Sequence, residues 1–231
     1  NNDTKQVKLT SVYRDTLLDV GEGSYQKANA AYAYGGPEQA LSMLNTNLDL
    51  QLTEYATVDF NALATTIDLL GGLDVPLSYA EIVFMNDYCI ETSEVTGKDY
   101  TPIELPAEKP EDEDADLGTY HLNGVQATSY CRIRYTAGLD FKRSERQREI
   151  IQMMVAKAKK SSLSTLFSIM DQVFPMIQTS LDKQEIVSMI PNMLSYEIGE
   201  TAGFPFDHYE MRVSQKGDVV VPVTLESNVQ Q

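Results

Sequence analysis

The chain has 231 residues, 42% of them apolar, and a formal net charge of −16. That is enough apolar material for a sizeable core, and the acidity argues against nucleic acid as a partner, because duplex binding needs a basic face that displaces counterions. No apolar run reaches the roughly 18 residues of a membrane span, no signal-peptide pattern is visible, and two histidines far apart in sequence leave little for a zinc site.

The sequence opens Asn-Asn-Asp-Thr, which reads as a processed or trimmed start whose anchor or export signal lies upstream. Val7 to Tyr13 alternates as a strand does and runs into Arg14-Asp15-Thr16. GEGSYQKANAAYAYGG reads as a polar, Gly-rich loop. Gly36-Pro37-Glu38 then starts a helix with proline in its first turn, and Leu41, Leu44 and Leu48 share a face. Leu52 to Val58 reads as a strand. Asp59 caps a helix that carries Leu63, Ile67 and Leu70 and stops at Gly71-Gly72. Leu73 to Leu77 is a short edge strand, since Pro76 cannot donate to a ladder.

Glu91 to Asp116 holds ten acidic residues and three prolines. It reads as a surface loop or insertion, a solvated connection in preference to a lid. Ser144 to Lys160 is a helix: Ser144 and Gln147 make a capping box, and Ile150, Ile151, Met154, Val155 and Ala158 form the apolar face. Leu163 to Ile177 is helical and broken at Pro175, Asp182 with Glu185 opens a helix reaching about Tyr196, and Val219 to Val223 is a strand. With no linker and no repeat, residues 1–231 read as one α/β domain, a central mixed β-sheet covered by helices on both faces.

Five of the seven arginines lie in the 17 residues from Arg132 to Arg148. Arginine presents a fixed fork of donors that suits phosphate or carboxylate, so the stretch points to a compact anion of more than one charge. A GxSxG elbow, HExxH, a Walker loop and GxGxxG are all missing. Arginines, a lysine, carboxylates and amides suit phosphoryl transfer, in which positioning and charge neutralisation do most of the catalysis. Arg132 and Arg134 would project from one face if Tyr130 to Tyr135 is a strand, or they make ordinary salt bridges. Arg143 and Arg146 flank Ser144 at a helix start, itself an anion site, whereas the alternative for Arg146 and Arg148 is a solvated first turn. Asp140 is a general base or the counter-ion of these arginines. Cys89 and Cys131 are buried apolar fillers, or a disulfide that would imply an oxidising compartment.

HLNGVQATSYCRIRYTAGLDFKRSERQREII, with Arg-Asp-Thr at 14–16 and KANAAYAYGG at 27–36, resembles the LytR-CpsA-Psr family, loosely from Val7 to Val223. The resemblance implies an enzyme on the outer face of the bacterial cytoplasmic membrane, held by an N-terminal anchor outside this sequence. It would transfer a phosphorylated glycopolymer, of teichoic acid or capsular polysaccharide type, from a polyprenyl-pyrophosphate carrier to peptidoglycan. By position, Arg14, Arg132, Arg134, Arg143, Arg146 and Gln147 would surround the pyrophosphate, with Lys27 adding charge. Arg14, Arg132 and Arg134 would stabilise the transferring group. Asp140 would orient or deprotonate the acceptor hydroxyl, Mg2+ would bridge phosphate oxygens, and the helices at 59–70 and 163–177 would wall an apolar tunnel for the lipid. The Gly-Asp-Arg and Ser-Asp-Thr segments that carry the family's metal-binding aspartates precede the strand at Val7, so no metal ligand is identifiable here. Tyr13 stands where the family has proline. The rival readings are a polyprenyl-phosphate-binding protein, a polyprenyl pyrophosphatase without transfer, and a transcriptional regulator.

Overall fold

The structure, a computed structural model, describes residue 1, residues 3–134 and residues 139–229. The chain forms two compact units. The first comprises Asn1–Thr57, Thr179–Asp182 and Ser195–Gln231; the second comprises Val58–Gln178 and Lys183–Leu194. The mixed α/β class is as expected, but among the described residues the strands pair in two-stranded ladders in place of one central sheet. No helix among the described residues is long and apolar enough to cross a membrane.

In the first unit, β1 (Gln6–Val12) pairs in parallel with β8 (Glu197–Phe204). β2 (Leu17–Asp19) and β3 (Tyr25–Lys27) form a hairpin whose turn is held by Asp19, its carboxylate accepting from Gly21 N at 2.9 Å and Gly23 N at 3.2 Å. The segment read as a loop is therefore β3 and the front half of α1 (Asn29–Leu48). The expected helix start is a kink: Gly36, at φ 65°, breaks α1 just before Pro37, which cannot continue the ladder of the preceding turn. Buried Leu18, Val20, Ala31, Met43 and Phe204 make the core. Within it the Asn47 amide donates to Asp19 O at 2.7 Å and Met43 O at 2.8 Å. The hairpin of β9 (His208–Val213) and β10 (Gly217–Pro222) carries the expected C-terminal strand, and α8 (Leu225–Val229) follows. The strand expected at 52–58 shrinks to β4 (Ala56–Thr57).

In the second unit, α2 (Phe60–Leu69) starts at Asp59, whose side chain accepts from Ala62 N at 2.7 Å, and ends before Gly71 and Gly72, both at positive φ. Lys157 donates to both of their carbonyls, at 2.8 Å and 2.5 Å. β5 (Leu73–Ser78) pairs antiparallel with β6 (Asp116–Leu122). α3 (Tyr79–Thr96) opens with a Ser78/Glu81 capping box and closes at Gly97, so the irregular segment starts after Gly97 and not at Glu91. α4 (Gly124–Tyr130) packs so closely on α2 that a Cβ at Gly124 would run into the Ala64 carbonyl. The remaining elements are α5 (Leu139–Lys160), α6 (Leu163–Val173) with a 3-10 turn at Phe174–Met176, and α7 (Lys183–Met193), while of the short β7 (Gln178–Thr179) only Gln178 falls in this unit. Leu73, Val75, Ile82, Met85, Leu122 and Ile150 are among the core residues of this unit.

Candidate functional site

α5 carries the chemistry. It starts at Leu139, a turn earlier than the sequence reading, so Ser144 is an interior residue. Its hydroxyl donates to Asp140 O at 3.2 Å, and no capping box with Gln147 forms. Gln147 instead donates to Cys131 O at 3.3 Å. Asp140, Arg143 and Gln147 fall at i, i+3 and i+7 and share a face. Ile150, Ile151, Met154 and Val155 continue that side of the helix.

Tyr130 to Arg134 is not a strand. α4 runs to Tyr130, and Arg132 N and Ile133 N bond back to Ser129 O at 3.0 Å and Tyr130 O at 3.3 Å, which makes a turn. Tyr135 and residues 136–138 of the arginine segment lie outside the described residues. Arg132 and Arg134 are consequently held in different ways. Arg132 donates to Thr92 Oγ1 at 2.8 Å and Glu91 Oε2 at 2.5 Å, with its guanidinium carbon 4.6 Å from the centroid of Phe60 and 5.1 Å from that of Tyr88. Arg134 Nε lies 3.6 Å from Asp140 Oδ1, and Arg143 Nη1 lies 3.0 Å from the same oxygen. Asp140 thus bridges two guanidinium groups.

Arg146 was expected at a pyrophosphate or in a solvated turn, but it is 1% exposed. Its Nε donates to Glu81 at 2.9 Å, Nη1 to Ile133 O at 3.4 Å, and its guanidinium lies 5.6 Å from the Tyr130 ring centroid. Arg148 is also buried. Tyr130 donates to Glu149 at 3.2 Å, and burial, followed by the charges of Glu81 and Glu149, pushes its phenol well above the usual range. Cys89 and Cys131 are free thiols, so the disulfide does not form. Burial raises both, Cys131 to about 12.

Beside these groups opens a cavity of about 540 Å³. Arg132, Gln147 and Thr128 line it together with Phe60, Leu63 and Thr66 of α2, Ile150, Ile151, Met154 and Val155 of α5, and Val173 and Ile177. A second cavity of about 300 Å³ shares Thr66, Val155, Val173 and Ile177 with it and is otherwise walled by Ala158 and Lys159 of α5 and by residues of α6, the Phe174 turn and α7 with Leu194. Both helices expected as tunnel walls, 59–70 and 163–177, therefore contribute to an apolar cavity.

Arg14 and Lys27 belong to the first unit, where Asp15 Oδ1 lies 3.8 Å from Arg14 Nη1 and 3.2 Å from Lys27 Nζ. Among the described residues no three His, Cys, Asp or Glu side chains gather to hold a metal ion. Asp15 and Asp140 each already face two cations. This donor set does not fit a resident divalent ion, which prefers several oxygens not already neutralised.

The sequence reading missed Phe60, Tyr88, Glu81, Glu91 and Thr92. Tyr88, Glu91 and Thr92 sit at i, i+3 and i+4 and so share a face of α3, but the acidic run hides that helix. Nothing in a sequence indicates which aromatic will cover an arginine.

The class of site found is a group of carboxylate-paired arginines in an α/β fold, one of which, Arg132, lines an apolar cavity. The chain belongs to the LytR_cpsA_psr family, whose sequence profile matches residues 1–207. It is 30% identical over 180 residues to the polyisoprenyl-teichoic acid–peptidoglycan teichoic acid transferase TagU of Enterococcus faecalis, covering 77% of this chain and 50% of that protein. It is 29% identical over 206 residues to Biofilm regulatory protein A of Streptococcus mutans, covering 85% of this chain and 45% of the relative. The chain thus spans about half the length of the curated relatives it matches. A solved structure of TagT bound to LI-WTA superposes with a TM-score of 0.73 at 19% identity, covering 100% of this chain and 77% of that one, and shares the fold.

Proposed function

We propose that the protein transfers a phosphorylated glycopolymer, of teichoic acid or capsular polysaccharide type, from a polyprenyl-pyrophosphate carrier to peptidoglycan on the outer face of the bacterial cytoplasmic membrane. The observation that carries this reading is the side of α5 that begins with Asp140, Arg143 and Gln147 and continues as a wall of the 540 Å³ apolar cavity. From Arg143 to Met154 it spans about 16 Å at 1.5 Å per residue. Such a surface suits an anionic head on a long apolar tail. The name of the Enterococcus faecalis relative, a teichoic acid transferase, supports the same chemistry.

In this mechanism Arg132, Arg134 and Arg143 neutralise the diphosphate, and the helix N-terminus adds partial positive charge. The acceptor hydroxyl oxygen attacks the sugar-linked phosphorus. An O–P bond forms, the bond to the bridging oxygen breaks, and polyprenyl phosphate leaves with the electron pair. The hydroxyl proton passes to Asp140, whose second role is to hold Arg134 and Arg143. Arg146 acts by position: it ties α5 to α3 and to the 131–134 turn. Arg14 and Lys27 are proposed as phosphate-neutralising cations of the first unit. Mg2+, if it takes part, would be held chiefly by the diphosphate's own oxygens, because the carboxylates among the described residues do not supply a site.

The test is calorimetric binding of a polyprenyl pyrophosphate, with and without Mg2+, to the wild type and to an Arg132→Ala/Arg134→Ala variant. The reading expects binding that the double variant loses. Binding indifferent to both arginines would overturn it.

A further inference from the structure

Arg132 is not waiting open for a phosphate. Its side chain is 15% exposed, its guanidinium lies over the rings of Phe60 and Tyr88, and two of its donors are taken by Thr92 and Glu91. Three of these four neighbours, Tyr88, Glu91 and Thr92, come from one face of α3.

The partners differ in what holds them. Thr92 is fully buried, its hydroxyl donating to Tyr88 O at 2.8 Å while accepting from Ser129 Oγ at 2.9 Å. Glu91 is the exposed member, with 63% of its side chain open to solvent. Arg132, held over two rings and bonded to a fixed hydroxyl, is the less mobile partner, and the carboxylate is the one that can leave. A carboxylate and a phosphate offer the same pair of acceptor oxygens to a guanidinium edge.

We propose that Glu91 is a specificity-determining residue: its carboxylate is a resident counter-anion on Arg132 that the incoming phosphate head must displace. This rests on the amphiphile reading above. Exchanging one carboxylate for one phosphate monoester gains little, because Glu91 stays on the same helix, within a screening length of the ligand, and repels it. Glu91 repels the larger charge of a diphosphate more, but a diphosphate can seat a phosphate on Arg134 and Arg143 and so depends less on displacing Glu91 from Arg132, which lets it survive the exchange better. The occupied arginine thereby favours a lipid diphosphate donor over the lipid monophosphate left after transfer, which helps to clear the product.

The experiment is calorimetric titration of geranylgeranyl monophosphate and geranylgeranyl diphosphate into the wild type, Glu91→Gln, Glu91→Ala and Arg132→Ala. Glu91→Gln and Glu91→Ala should both tighten the monophosphate, by roughly two- to fivefold as for an exposed ion pair. They should tighten the diphosphate less, so that the diphosphate preference narrows. Arg132→Ala should weaken both ligands. If the Glu91 variants weaken both ligands, Glu91 merely positions Arg132 and the proposal is wrong. Unchanged affinities for both ligands would also overturn it, while leaving the amphiphile reading standing. If no form of the protein binds either lipid, the amphiphile reading falls and this inference falls with it. Because Glu91 is exposed, its substitution leaves the core intact, which thermal melting of each variant verifies.

Discussion

Arg132 and Arg146 are fourteen positions apart in the same basic stretch, and their surroundings assign them opposite work. Arg132 borders the cavity. Its replacement by alanine should cost roughly 10²–10³ in transfer rate, the scale of a lost charge-stabilising donor, while the melting temperature changes little. A transfer assay set beside a melting curve separates the two effects. Arg146 is sealed against Glu81, so Arg146→Met leaves a largely buried carboxylate without its cation. That should cost about 3–5 kcal/mol of stability by urea denaturation, and Arg146→Met/Glu81→Leu should recover a large part of it. Cys131 offers a pH test. Burial raises its thiol from 9.0 to about 12. A raised folded-state value means a stabilising contribution that is complete below the unfolded value and lost as pH climbs from about 9 toward 12. The urea midpoint should therefore fall less between pH 8 and pH 11 in Cys131→Ala than in the wild type, roughly the interval in which the free thiol titrates.

Among the elements, those with local signals were legible. Asp59 before an apolar period, Gly71-Gly72 after it and Pro175 inside α6's extension each acted as read. Where tertiary partners decided, the signals misled. Ser144 and Gln147 have capping-box spacing, yet α5 starts upstream and Gln147 turns to Cys131. Tyr130 to Arg134 alternates as a strand does, but α4's last carbonyls capture its amides. α3's period of Ile82, Met85, Cys89 and Thr92 was masked by the acids between them. The apolar half of α5 makes a prediction of its own. Val155 faces both cavities, so Val155→Phe should weaken a prenyl diphosphate about tenfold by excluding part of its tail. Inorganic pyrophosphate, which has no tail, should bind the variant as it binds the wild type in the same titration.

At the scale of the molecule, the α/β class and the basic segment in an acidic chain could be read from composition and pattern. The division into two units could not, because the first unit is assembled from three separated stretches. No local signal announces that Ser195 returns to the neighbourhood of β1; that is decided by the parallel pairing of β1 with β8. The net charge of −16 has a kinetic consequence. The long-range field opposes an anionic ligand that the local arginines then hold. Raising ionic strength from about 0.01 to 0.15 M shortens the screening length from about 30 to 8 Å. Stopped-flow association of a fluorescent prenyl diphosphate should accelerate over that interval. A rate that falls steeply with salt would mean the arginine segment steers the encounter.

The Lys157 ammonium joins the exhausted end of α2 to the last turns of α5, and those two helices form facing walls of the larger cavity. A fastener at one end leaves a pair of jaws. Any parting of the walls would fall beside Phe60 and Ile151, both 39–40% exposed, because the ends tied by Lys157 keep their spacing. Tails of different thickness would then be accommodated by the opening angle at the mouth and not by remodelling the floor.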